Sequence, residues 1–376
     1  MNKLVELSKL GQSVWYDNIE RKLLKSGELK RLIAEDAVSG VTSNPSIFEK
    51  AITSSTDYDE DIKALAHLRQ GFGGQVKQNK SVDEIYEAIT IKDIIATCDL
   101  LQDVYKKSNG TDGYVSIEVS PDYAYNMAKT LESARRIFKT INKPNLLIKV
   151  PGTREGFEAT AHLISEGISV NVTLLFSQAD YEGAAYAYID GLKERVKKGM
   201  PLDNVFSVAS VFISRIDSTI DKMIDERGKM KDGNLSSMSG KCAVANAKVI
   251  YQLYKKIFEG ADFKALKGAR PQKIVWASTS TKNPAYPATK YVDELIARET
   301  INTIPTATLF AFKTQGRVEV CIENNMDETA NVLKTLTDNG IDLNKTCADI
   351  QRDGIKAFKE SYDKALGAIK AKMTNA

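Results

Sequence analysis

Short apolar and β-branched runs alternate along the chain with longer segments of helical periodicity. Eight of these runs have the length of a β-strand, and several are apolar on both faces, which is typical of strands that helices cover. With approximate boundaries, the predicted strands span residues 13–17, 38–43, 113–119, 146–150, 169–175, 206–212, 273–278 and 301–310.

The segments between these strands favour helices. Isoleucine and leucine recur among charged residues over 83–106, the segment 121–141 begins with a proline suited to a first helical turn, and 156–167 ends on a glycine. Strand–helix alternation repeated eight times predicts an α/β protein with a (β/α)8 TIM barrel. A doubly wound sheet is the competing arrangement.

A helical C-terminal extension is predicted from about residue 313. The segment 327–339 favours a helix, and the terminal stretch has the spacing of an amphipathic one. Its apolar face is formed by Ile355, Phe358, Tyr362, Leu366, Ile369 and Met373. Packing against the barrel is the simpler role for this helix, and covering the barrel mouth is a functional addition.

One barrel domain over residues 1–376 is therefore expected, with a flexible insertion at 71–80 (GFGGQVKQNK). The glycines of this insertion do not follow a strand, which disfavours a dinucleotide-binding loop. The charge balance, 52 Lys and Arg against 49 Asp and Glu, is too even to indicate a nucleic-acid or membrane partner. No apolar run has the length of a signal peptide or a membrane span, so a cytoplasmic protein is expected.

Cysteines and histidines do not form the patterns of a metal site. His67 and His162 stand in no ligand-like cluster, which disfavours a zinc site. The four cysteines lie far apart and include no C-x-x-C pair, so buried thiols in a reducing cytosol are expected. They are Cys98, Cys242, Cys321 and Cys347.

Polar side chains recur at the carboxyl ends of the first six predicted strands, where barrel enzymes place their catalytic groups. These residues are Asp17, Asn44, Glu118, Lys149, Asn171, Thr173 and Ser210. A single polar residue at a strand end can simply face solvent. Their repetition on successive strands, however, predicts a polar site at the barrel mouth.

Lys149 interrupts the otherwise apolar strand LLIKVP and shares a face with Leu147. If that face is the barrel interior, the ammonium must be paired or neutralised, because burying it unpaired is costly. Desolvation disfavours the charged form of a lysine, and a neutral amine can attack a ketone. A structural lysine paired with Glu118 of the adjacent strand explains the motif equally well.

Proton carriers and polar contacts for such a reaction are also present. Glu118 and Asp17 are candidates for the acid and base that a Schiff-base reaction needs. Asn171 and Thr173, two residues apart, point to one face and can hold polar substrate atoms.

A phosphate site is indicated by the segment SVFISR, which contains Ser210 and Phe212 and ends in Arg215. Arg215 and Ser210 are suited to binding a phosphate. The alternative for a lone arginine is a salt bridge within the protein.

Together these segments closely resemble the transaldolase family, in its longer branch. The resemblance runs from about residue 3 to residue 312, and the order of several motifs makes it specific, whereas T-S-N-P or L-I-K alone would not. The motifs occupy residues 14–18, 40–46, 117–119, 147–151, 171–177, 210–215 and 276–279.

The resemblance implies a class I aldolase barrel without metal or organic cofactor. The implied reaction transfers a dihydroxyacetone unit from sedoheptulose 7-phosphate or fructose 6-phosphate to glyceraldehyde 3-phosphate or erythrose 4-phosphate, in the pentose phosphate pathway. Lys149 matches the Schiff-base lysine, and Asp17 the acid/base at the C4 hydroxyl. Glu118 and Thr173 match the pair that holds water for imine formation.

The resemblance also implies ligands for the rest of the substrate. Asn44 and Asn171 match residues that bind the dihydroxyacetone hydroxyls, and Ser210 and Arg215 match phosphate ligands. Many relatives have a second phosphate-binding arginine after the seventh strand, where this chain offers Lys282, which supplies charge but no bidentate fork. A homodimer is compatible with the resemblance, although the sequence itself carries no signal for the oligomeric state.

Other functions stay open at this point. A fructose 6-phosphate aldolase that releases free dihydroxyacetone is the nearest, and it differs from transaldolases near the position of Glu118. A non-catalytic sugar-phosphate-binding barrel is disfavoured, because binding alone does not need Lys149. A flavin- or nicotinamide-dependent barrel oxidoreductase would require a cofactor.

Overall fold

A computed structural model describes residues 2–66, 80–228 and 235–374. In these residues, eight parallel strands form a closed barrel in chain order, with the eighth strand paired to the first. The strands are β1 (Gln12–Tyr16), β2 (Val38–Thr42), β3 (Val115–Glu118), β4 (Leu146–Pro151), β5 (Val170–Leu175), β6 (Ser207–Phe212), β7 (Lys273–Ala277) and β8 (Thr300–Ile304). The predicted TIM barrel is confirmed, and the doubly wound sheet is excluded.

Helices connect the strands and extend beyond the last one. They are α1 (Lys3–Lys9), α2 (Arg21–Lys25), α3 (Glu28–Glu35), α4 (Pro45–Thr53), α5 (Asp59–Ala66), α6 (Val82–Lys107), α7 (Met127–Ile141), α8 (Arg154–Glu166), α9 (Gln178–Lys197), α10 (Ser214–Gly228), α11 (Cys242–Phe258), α12 (Ala261–Lys264), α13 (Lys290–Asp293), α14 (Thr306–Gln315), α15 (Met326–Asp338) and α16 (Leu343–Thr374). Short 3-10 helices span Pro121–Tyr123 and Ser236–Met238.

Three predicted elements differ from the structure. The predicted strand 301–310 ends at Ile304, because Pro305 has no amide hydrogen for the ladder and the apolar residues after it form α14. The predicted helix 121–141 is divided into a 3-10 turn and α7, and the side chain of Asn126 caps α7. The terminal helix, predicted from the spacing of Ile355 to Met373, begins earlier, at Leu343, and the remaining predicted strands and helices agree at their ends to within two residues.

The barrel interior is apolar at its lower end. Its cluster consists of Trp15, Tyr114, Leu147, Phe206, Val208, Val275 and Ile301. Because strand side chains alternate between faces, the place of Leu147 in this cluster puts Lys149 on the interior face, one layer nearer the carboxyl end. Lys149 therefore faces the barrel interior, which is the condition under which its ammonium must be paired or neutralised.

The C-terminal helix α16 lies across the carboxyl end of the barrel. It packs on α4, α5, α6 and α10 and reaches the end of β5. Phe358 of α16 lines the cavity at the barrel mouth, so the helix both packs on the barrel and covers part of this opening. The predicted insertion at 71–80 lies outside the described residues except for Lys80. Among the helices described, none has the length and apolar character needed to cross a membrane.

Candidate active site

A cavity of about 220 Å³ lies at the carboxyl end of the barrel. Eight of the ten predicted site residues line it, namely Asp17, Asn44, Lys149, Thr173, Ser210, Phe212, Arg215 and Lys282. The remaining two, Glu118 and Asn171, contact members of this set from behind the cavity wall. The strand-end rule therefore placed the predicted residues around one opening.

A larger cavity of about 660 Å³ lies between α6, α7 and the carboxyl end of β3. It touches Glu118 and Asn44, but α6 and α7 supply a large part of its lining, and Lys149 is not part of it. The smaller cavity contains the lysine together with the two cations of the predicted phosphate site. We therefore assign the candidate active site to the smaller cavity.

Lys149 is buried, with 4% of its surface exposed. Its Nζ donates a hydrogen bond to the carbonyl oxygen of Ser43 at 2.9 Å and lies 3.6 Å from Glu118 Oε2. The predicted pairing with Glu118 is thus present as an ion pair, at a distance longer than an ordinary hydrogen bond. Since Lys149 also lines the cavity, the pairing does not remove the amine from the site.

Glu118 is a buried carboxylate with unusual surroundings. Neither of its oxygens has a hydrogen-bond partner among the described residues. Burial raises the pKa of Glu118 to about 7, with the charge of Asp17 adding to this effect and the attraction of Lys149 opposing it. Such a group exchanges its proton near neutral pH, as acid–base catalysis requires.

Asp17 lies just beyond β1 and is partly buried in the cavity wall. Thr42 Oγ1 donates to Asp17 Oδ1 at 2.7 Å and is also 2.5 Å from the hydroxyl of Thr303. Burial raises the pKa of Asp17, while the Thr42 hydrogen bond and the charges of Lys149 and Lys282 oppose that rise. Thr42 belongs to the T-S-N-P motif, which is the signal that could have identified it.

Polar side chains also link the strands around Lys149. Asn171 Nδ2 donates to Ser116 Oγ at 3.1 Å, and Asn171 Oδ1 accepts from Ser210 at 2.7 Å. Asn171 therefore ties β3, β5 and β6 together. Thr173, two residues further along β5, has a buried hydroxyl without a hydrogen-bond partner among the described residues. Ser116 was not predicted, because a serine within an apolar strand carries no distinctive signal.

Two cations lie on one side of the cavity. Arg215 lies in the first turn of α10, with its guanidinium carbon 5.8 Å from the ring centre of Phe212. Burial lowers the pKa of Arg215, and the charge of Asp353 on α16 opposes this. Lys282 lies in the loop after β7 with its side chain exposed, and partial desolvation of its amine together with repulsion from Arg215 lowers its pKa. Two adjacent cations in a cavity are suited to binding a phosphate.

The cysteine side chains lie in separate parts of the structure. Cys98, Cys242 and Cys347 are buried free thiols, and Cys321 is partly buried. Within residues 2–66, 80–228 and 235–374, no group of three or more His, Cys, Asp or Glu side chains is arranged to hold a metal ion. His67 lies outside this described part of the chain.

Fold and site together define a TIM-barrel enzyme with a buried lysine at the barrel mouth. The sequence profile of the transaldolase/fructose-6-phosphate aldolase family matches residues 14–369, which include α15 and most of α16. The chain belongs to this family.

Curated relatives match the chain over its whole length. A transaldolase of Trichodesmium erythraeum is 45% identical over 381 residues, covering 99% of this chain and 98% of that protein. Transaldolases of Thiobacillus denitrificans and Neisseria gonorrhoeae are 44% and 39% identical, each covering 98% of this chain and 100% of the relative. The similarity therefore includes the C-terminal helices as well as the barrel.

Proposed function

We propose that this protein is a transaldolase of the non-oxidative pentose phosphate pathway. It transfers a dihydroxyacetone unit from sedoheptulose 7-phosphate or fructose 6-phosphate to glyceraldehyde 3-phosphate or erythrose 4-phosphate. The observation that carries the proposal is the position of Lys149. Its side chain is buried, with Nζ 3.6 Å from Glu118 Oε2, and yet it lines the cavity. The full-length relatives named transaldolase support the same reaction.

The first chemical step joins Lys149 to the donor. Its Nζ attacks the C2 carbonyl of the ketose, and loss of one water from the carbinolamine leaves the imine. Glu118 supplies the proton for this dehydration and takes one back when the imine is hydrolysed. Thr173, whose hydroxyl has no partner among the described residues, holds the water together with Glu118.

Asp17 carries the proton in the cleavage step. Its carboxylate takes the proton of the C4 hydroxyl, the C3–C4 bond breaks, and the electron pair moves into the protonated imine to give a neutral enamine. The aldose phosphate leaves as an aldehyde. An acceptor aldehyde then adds to the enamine, and Asp17 returns the proton to the new hydroxyl. The raised pKa of Asp17 makes it a stronger base than an ordinary aspartate.

The remaining cavity residues hold the substrate. Asn44 accepts a hydrogen bond from the Ile47 amide through Oδ1 at 3.0 Å, while its amide nitrogen has no partner among the described residues and can donate to a hydroxyl. Arg215 and Lys282 bind the phosphate, with Ser210 and Phe212 lining the same end. Asn171, which the resemblance matches to a dihydroxyacetone ligand, is buried behind the cavity wall and orients the Ser210 hydroxyl that lines it.

Release of free dihydroxyacetone, as in a fructose 6-phosphate aldolase, is not favoured. The relatives that match this chain at 38–45% identity over nearly its whole length are named transaldolases. The homodimer and the cytoplasmic location stay predictions from the sequence.

The test of this function is Lys149→Arg. Arginine keeps the charge and most of the stem, but its guanidinium stays protonated and cannot form an imine. We expect no transfer from fructose 6-phosphate to erythrose 4-phosphate in this variant and no adduct after borohydride treatment. The matched control is Lys193→Arg at an exposed position, which should keep the transfer activity and the borohydride-trapped adduct. Parental turnover in Lys149→Arg would refute the Schiff base, and equal donor cleavage without an acceptor would indicate an aldolase instead.

A further inference from the structure

One side chain of α16 contacts the main chain of both strands that carry the proposed nucleophile and its helper. Gln351 Nε2 donates to the carbonyl oxygen of Gly152 at 3.0 Å and to that of Leu174 at 2.9 Å. Gly152 directly follows β4, and Leu174 directly follows Thr173 in β5. A single amide group therefore bridges the carboxyl ends of β4 and β5.

The backbone at Leu174 is strained. Its φ is +59°, in the left-handed region that residues other than glycine adopt only at a cost. The pairing of β5 with β6 is irregular between Val172 and Leu175, so Leu174 lies in a bulge. A bulge redirects neighbouring side chains, and here the neighbour is Thr173, which lines the cavity. The hydrogen bond from Gln351 satisfies the carbonyl of the strained residue.

The same network reaches the end of β4. The amide of Gly152 donates to the carbonyl oxygen of Thr173 at 2.7 Å, while the carbonyl of Gly152 accepts from Gln351. Gly152 follows Lys149 by three residues. Gln351 thus closes a hydrogen-bonded loop that fixes the relative position of the strand ends bearing Lys149 and Thr173.

We propose that Gln351 is a positioning residue for the reaction, holding the ends of β4 and β5 so that Thr173 faces the amine of Lys149. This inference rests on the proposed function. Gln351 contacts the main chain and not the substrate. Because it holds Thr173 and Lys149 in position, its loss should slow imine formation. Phosphate binding should be largely kept, because Arg215 lies in the first turn of α10, after β6, and the hydrogen bonds of Gln351 go to Gly152 and Leu174 instead.

The experiment compares Gln351→Ala and Gln351→Glu with the parent. Alanine removes both donors, whereas glutamate keeps the size of the side chain but offers only acceptors to the two carbonyls. We expect kcat with fructose 6-phosphate to fall roughly 10- to 100-fold, as for a small misplacement of reacting groups. The rate of borohydride trapping on Lys149 should fall by the same factor, and KM should stay near the parental value. Exposed Lys356→Ala on the same helix is the control.

The outcomes separate this role from the proposed function and from simple anchoring of the helix. If the parent gives no trapped adduct on Lys149, the proposed function fails. If the parent is trapped and both Gln351 variants keep the parental kcat and trapping rate, the positioning role is overturned. It is also overturned if only KM rises or only the unfolding midpoint falls. If Gln351→Ala is too unstable to assay, Gln351→Glu carries the test.

Discussion

At the scale of single residues, the pair formed by Lys149 and Glu118 distinguishes a reactive site from a structural salt bridge. A stabilising ion pair lowers the pKa of its carboxyl group. Here burial outweighs the attraction of Lys149 and raises the pKa of Glu118 to about 7. The 3.6 Å separation and the absence of hydrogen bonds to either carboxylate oxygen within the described residues weaken the pair further. These properties favour the catalytic interpretation of Lys149.

The proposed acid–base role of Glu118 predicts a particular dependence of the rate on pH. In the parent, kcat/KM for fructose 6-phosphate should change as Glu118 ionises, with an inflection near pH 7. Glu118→Gln should lose that inflection and lower kcat/KM by about 10²- to 10⁴-fold, because an amide does not exchange the proton. The measurement is the pH profile of both proteins on either side of neutrality. An unchanged inflection in the variant would assign it to another group, such as Asp17.

The sequence was sufficient to predict site residues whose positions follow from strand periodicity. It was not sufficient for residues that reach the site through contacts between distant parts of the chain. Lys149 and Thr173 were predicted because their positions in apolar strands can be read from alternation and from the strand-end rule. Gln351 could not be predicted, since its partners are backbone carbonyls far away along the chain. The left-handed conformation of Leu174 gave no signal either, because leucine is not a residue that marks such turns.

At the scale of elements, the approach of α16 to the barrel depends on Gly354. A Cβ at this position would lie 3.1 Å from Arg215 Nη1 and 3.2 Å from Leu174 Cδ2, closer than ordinary contacts. Asp353, the residue before it, supplies the negative charge that acts on Arg215. The sequence predicted the apolar face of this helix but not its contact with Arg215 of the proposed phosphate site. Helical periodicity identifies buried positions without identifying what they touch.

Alanine substitutions at the two glycines of α16 test this contact. Gly367 has open space around it, so Gly367→Ala should raise the free energy of unfolding by about 0.5–1 kcal/mol through helix propensity alone. The free energy of unfolding should rise less in Gly354→Ala, because the side chains of Arg215 and Leu174 must move to make room for the methyl group. Its KM for fructose 6-phosphate should also rise, with little change for unphosphorylated fructose. A parental KM in Gly354→Ala would show that α16 does not set the position of Arg215.

At the scale of the whole molecule, stability depends on buried carboxyl groups outside the active site. Asp217 of α10 accepts hydrogen bonds from the Ala243 amide at 2.7 Å and from the Tyr291 hydroxyl at 2.9 Å, which join α10 to α11 and α13. Burial raises the pKa of Asp217 from 3.8 to about 6. The folded state therefore holds this proton more tightly than the unfolded chain. Its contribution to stability is fully present below about pH 4 and is lost as the pH rises through 6.

Asp217→Asn should remove this pH dependence and stabilise the protein at neutral pH. Asparagine stays uncharged, can accept from the Ala243 amide, and can donate to the Tyr291 oxygen. Above pH 6 the variant should exceed the parent by roughly 1–3 kcal/mol in free energy of unfolding, and the difference should disappear below about pH 4. Denaturant unfolding of the variant and the parent, above pH 6 and below about pH 4, measures this difference in free energy. Asp217→Ala is the control: it leaves a buried amide unpaired and should be less stable at either pH. Equal stability of Asp217→Asn and the parent at neutral pH would mean that ionising Asp217 costs the fold nothing.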